Sequence, residues 1–327
     1  MNHEIPVRYD PRLIEEAVFL ALRRHPETAT YHRERNLVYE IADPEAREGA
    51  FREFNLRWFD RLGLGNPVAQ ALAEAPGLAG GVGQCVAVSA AKRHDEGAEL
   101  FVNSEPGLSD EGRRTVRILV RPDSLLDPAA LMLFLRHELM HISDMIDPGF
   151  GYEPALPVTG GGPAHRRLLV DRYRALWDAT IDGRMARRGW APESLRDERW
   201  HDFCRAFPMP ERNGARAFSR FFDQEGWTHP KLLAFALDPG AVATTTDGTA
   251  SAGSRCSLCG FPTHAFAGEP QRLPPDVIAA IVTDFPQWQP SHGLCLQCAD
   301  LYRARELSLR AAESLPGKHG VRPSGYP

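Results

Sequence analysis

No stretch of this chain approaches 18 consecutive apolar residues, so no membrane-spanning helix is expected. The opening segment, MNHEIPVRYDPRLIEEAVFLALRRH, lacks the unbroken apolar run of a secretory signal. Glu15, Glu16, Arg23 and Arg24 interrupt it, and the pattern is that of an amphipathic helix. Basic excess is also absent. The net charge is −5 and the sequence pI is near 6.2, which gives no electrostatic case for nucleic acid or an anionic membrane. No internal repeat is present. Cysteine is scarce: there are six, of which four fall in two CxxC pairs, while Cys85 and Cys204 stand alone. These absences point to a cytoplasmic globular protein. In a reducing compartment, paired CxxC units suggest metal more than disulfides.

What is present fits a chain of 327 residues with a sizeable core. The expected fold class is α+β: a mostly helical domain with a small sheet over residues 1–240, then a small zinc-binding module. Helices are expected near residues 12–24, 44–62 and 66–76, and strands at 84–90, 99–104 and 114–122. The alternation in RTVRILVRP suggests a half-exposed or edge strand. A helix opens at Asp127-Pro128 and ends near Asp147, another spans about 165–188, and 193–238 is helical again. Residues 241–254 are small and polar, the composition of a flexible linker. The cysteine pairs define a module at 255–312, and 313–327 has the composition of a disordered tail.

The helix after Asp127 carries RHELMHISDM, residues 136–145. At helical spacing, Leu131, Leu135, Leu139 and Ile142 form an apolar face, and His137, His141 and Asp144 lie on the other. Two histidines four apart place both imidazoles over one point, as a zinc ion needs. Glu138 stands beside them, where its carboxylate can take a proton from a metal-bound water. Roughly residues 110–190 resemble the zincin metallopeptidases. The resemblance implies His137 and His141 as zinc ligands, Glu138 as general base, and an edge strand that binds an extended peptide substrate.

The third ligand stays open. The metzincin pattern points to Asp147, but Asp144 replaces the glycine that pattern needs for its turn. The gluzincin pattern points to the next helix, where Asp178 and Asp182 share one stripe. One of them is expected to bind the metal and the other to support a ligand, with Asp182 preferred because Gly183 permits close approach. The plain alternative is a solvated acidic face balanced by Arg172, Arg174 and Arg184. Asp144 is expected to support His141 from outside the ligand set. Tyr152, His165 and Tyr173 are weaker candidates for stabilising an oxyanion.

Cys256, Cys259, Cys295 and Cys298 make CxxC…CxxC, the donor set of a closed structural zinc site. The module resembles a treble clef or zinc ribbon. It lacks a basic stripe, so a protein partner is favoured over nucleic acid. The expected protein thus holds one catalytic and one structural zinc and hydrolyses a peptide or protein substrate. The competing expectation is a non-catalytic interaction protein acting through the cysteine module.

Overall fold

The computed structural model describes residues 4–23, 25–103, 109–157, 163–209, 211–239, 255–261, 263 and 265–314. Twelve helices and one four-stranded sheet are found there, and none of these helices is long and apolar enough to cross a membrane. The linker expected at 241–254 and most of the expected tail lie outside the described residues. The chain forms two compact units. One is Met1–Glu153 with Ile181–Leu195; the other is Pro154–Thr180 with Arg196–Pro327. The division falls inside a continuous helix, Pro163–Arg187.

In the first unit, aspartate followed by proline opens three helices: α1 (Pro11–Leu22), α3 (Pro44–Arg61) and α6 (Pro128–Ile146). Asp10, Asp43 and Asp127 each accept a backbone N–H of the first turn. Proline there gives up a donor that has no helical partner anyway. Between them lie α2 (Thr28–Tyr39) and α4 (Asn66–Glu74).

The sheet runs β1 (Val7–Tyr9), β2 (Gln84–Ser89), β4 (Arg114–Val120), β3 (Gly97–Val102) across its width. β1, β2 and β4 are parallel, and β3 is antiparallel to β4. A short helix, α5 (Asp110–Arg113), leads into β4. Of the two alternatives for this segment, the edge is corrected: β4 is interior, and β1 and β3 are the edges. The alternation in β4 marks a sheet with one wetter face, not an edge. Val116, Ile118 and Val120 are buried in the core, while Arg117 pairs with Glu99 of β3. Leu131, Leu135, Leu139 and Ile142 of α6 join the same core.

In the second unit, α8 (Ser194–Ala206), α9 (Glu211–Asp223) and α10 (His229–Leu237) enclose an aromatic core. Phe203, Phe207, Phe218, Phe221 and Phe235 meet in tilted and edge-on pairs with ring centroids 4.8–6.4 Å apart. The cysteine region adds α11 (Pro275–Asp284) and α12 (Leu296–Ser314). The remaining helix is α7, Pro163–Arg187. Leu169, Tyr173, Leu176, Trp177 and Ile181 are buried as its apolar stripe predicts, but Val170 is 41% exposed.

Candidate metal centres

On α6 the apolar stripe faces the core, which turns His137 and His141 to the partly exposed side. Their Nε2 atoms are 3.2 Å apart. Two nitrogens on one tetrahedral zinc, each at about 2.0–2.1 Å, stand about 3.3 Å apart by simple trigonometry. Buried Asp182 on α7 places Oδ1 2.7 Å from His137 Nδ1. A carboxylate there holds the proton on Nδ1 and leaves the Nε2 lone pair pointing at its neighbour, the tautomer a metal requires. Asp178 lies one turn earlier on α7. It offers a carboxylate oxygen within 4.8 Å of ligand atoms of both histidines, and the three residues can hold a metal ion.

Asp144 is buried near the end of α6, where its two oxygens receive Arg184 Nη1 and Nη2 at 2.8 and 2.6 Å. Asp147 ends the helix with an extended backbone, and its Oδ1 accepts the Gly149 N–H at 2.8 Å. That carboxylate organises its own turn on the exposed side of the chain.

Glu138 follows His137 and meets the sheet. Its Oε2 accepts the Ala98 N–H of β3 at 3.2 Å, and Oε1 has no hydrogen bond among the described residues. Asn103 N donates to Arg113 O just beyond β3. Antiparallel alternation therefore turns the backbone of Glu99 and Phe101 toward β4, and that of Ala98, Leu100 and Val102 away from it. The glutamate and the outward side of the edge strand thus adjoin.

Among the weaker candidates, Tyr152 is half-buried, and burial raises its hydroxyl pKa. Tyr173 is buried, with its hydroxyl 2.7 Å from His229 Nδ1 in the second unit. The side chain of His165 lies outside the described residues.

The cysteines form the second centre. All four are buried, with sulfurs within 4.8 Å of one another. Cys256 and Cys298 sulfurs are 3.8 Å apart, and those of Cys259 and Cys295 are 3.9 Å apart. Thiolates at about 2.3 Å around one tetrahedral zinc would stand about 3.8 Å apart. The first knuckle turns at Gly260, whose φ of +69° suits glycine, and Gly260 N donates to Cys256 O. The backbone N–H of Cys295 donates to Cys256 Sγ at 3.2 Å, and that of Cys298 to Cys295 Sγ at 3.4 Å. Hydrogen bonds from the Cys259, Cys295 and Cys298 side chains push Cys256 below the ordinary thiol range, whereas Cys298 is pushed up by the same crowding. Four sulfurs that contend for protons in this way suit a cation that displaces them all.

Sequence reasoning missed two residues here. Arg172, which the plain alternative put on a solvated acidic face, is buried at 3% exposure. Gln297, between the second pair of cysteines, donates through Nε2 to Arg205 O and Ala206 O at 2.8 Å each. The signal for Arg172 was its register: it lies three residues after Leu169 and four before Leu176, both buried. Of the helical arginines that follow, Arg303 pairs with Asp300 and Arg305 with Asp284.

No family model, no curated protein and no solved structure matches this chain. The geometry of its own residues therefore carries the reading: a chain with two sets of side chains that could each hold a metal ion, one of two histidines and an aspartate, the other of four cysteines.

Proposed function

We propose that this protein is a zinc-dependent hydrolase of the zincin type that cleaves peptide bonds. The observation that carries the proposal is the pair of His137 and His141 Nε2 atoms 3.2 Å apart, with Asp182 on His137 Nδ1 and Glu138 held against the outward side of β3. Three protein ligands leave a fourth position for water or substrate. In this reading Asp178 is the third ligand and Asp182 fixes the His137 ring, a division favoured by the 2.7 Å contact to Nδ1. A bound zinc would lower the pKa of its water and polarise the scissile carbonyl.

Glu138 takes the proton from the attacking water through Oε1 and returns it to the leaving amine. Its Oε2 is held by Ala98 N–H, so the carboxylate is oriented before substrate arrives. Leu100 and Val102 present outward backbone groups to which an extended peptide can add as a further strand. The cysteine site has no fourth place for water and serves the fold.

The test uses the full zinc-loaded chain and a mixed peptide library read by mass spectrometry. The wild type is expected to cleave. Glu138→Gln should lose at least about 100-fold in rate while keeping its zinc. Cleavage that survives Glu138→Gln, or no cleavage by a wild type with both sites filled, would refute the proposal.

A further inference from the structure

Arg172 is a buried cation with no carboxylate among its described partners. Its Nε donates to Ala206 O at 3.2 Å and Nη2 to Gln297 Oε1 at 3.2 Å, while Nη1 is buried with no hydrogen-bond partner. The guanidinium lies 4.0 Å over the ring of Phe261, two residues past Cys259, and 5.5 Å from that of Phe207. A guanidinium taken out of water needs an anion to offset its desolvation. Nearby negative charge can come from the cysteines, because Phe261 follows Cys259 by two residues and Gln297 lies between Cys295 and Cys298. Four thiolates on one divalent ion carry a net charge of about −2 by simple counting. The other arginine at the knuckle, Arg255, is exposed and donates to Gly260 O, so water screens it.

We infer that Arg172 is the counter-cation of the four-cysteine metal site, and that it fastens this site to α7 and α8. Gln297 completes the link, since it receives Arg172 and donates to the last carbonyls of α8. The cysteine region is therefore a staple of the second unit and not a detachable recruiting module. The inference stands whether or not the histidines bind metal.

The test uses the full chain carrying His137→Ala and His141→Ala, so that zinc binds only the cysteines. Zinc affinity is measured by competition with a chelator. Arg172→Met keeps an apolar stem but removes the charge, and should weaken zinc binding about 10- to 100-fold. Arg172→Lys restores the charge without the planar fork and should recover part of the loss. Equal affinity in all three proteins overturns the counter-cation role. Should Arg172→Met fail to fold, amide exchange of the parent with and without zinc decides the matter. Zinc removal should loosen residues 166–180 and 200–207; loosening confined to 255–314 overturns the inference.

Discussion

At the scale of single residues, the two aspartates of α7 carry different roles in the proposed hydrolase. Asp182 meets His137 Nδ1 and is 1% exposed, whereas Asp178 is the aspartate that could join the two histidines in holding a metal ion. Asp178→Asn should therefore abolish tight zinc binding at this centre. Asp182→Asn should weaken it by about 10- to 100-fold, as loss of a ligand's hydrogen-bond partner typically does. Chelator competition on the two variants checks this; the opposite order would exchange their roles. Both residues were visible in the sequence as one stripe. The sequence preference for Asp182 as the ligand rested on its neighbour Gly183, and the proposed reading exchanges the two roles because Asp182 meets His137 Nδ1. Thiol chemistry offers a second check. Cys85 is fully buried, and burial pushes its thiol up to about 12, while Cys204 is exposed. With zinc bound to the other four, a native-state thiol reagent should label one cysteine per chain. After zinc removal the count should rise toward five. Five fast-reacting thiols in the zinc-loaded protein would contradict a filled cysteine site.

At the scale of elements, the edge strand is held in place by Glu96. Burial alone would raise its carboxyl, but hydrogen bonds from Arg121 N, Ser124 Oγ and the Arg121 guanidinium outweigh it and hold the pKa below the ordinary glutamate value. A depressed carboxylate contributes stability above the ordinary glutamate range and loses it as pH falls through the lowered value. Urea midpoints of wild type and Glu96→Gln should thus differ most near neutral pH and converge in acid. A gap independent of pH would show that the charge of Glu96 is immaterial. The knot joins the start of β3, the end of β4 and the approach to α6, and so positions the strand beside Glu138.

Such links explain which elements were legible in the sequence. The HELMH helix was readable because its cap, its apolar period and its histidine spacing are all local. α2 was not, since only Tyr31 of its twelve residues is buried and it shows little apolar period. β1 is three residues long and gains its identity from pairing with β2, far along the chain. The edge was assigned to β4 because alternation reports which face is wet, but not which neighbours a strand has.

At the scale of the whole molecule, the centre most fully specified by sequence was the cysteine site, since CxxC pairs state their donors outright. Arg172 was hidden because a charged side chain at a buried register looks like any surface arginine until its surroundings are known. The two candidate metal centres are the main departure from an ordinary α+β scaffold among the described residues. Their existence is the central claim, and the direct test is zinc per full-length chain by elemental analysis. Two zinc ions are predicted for the wild type and one for His137→Ala/His141→Ala. One zinc in both proteins would contradict the histidine centre and, with it, the proposed hydrolase.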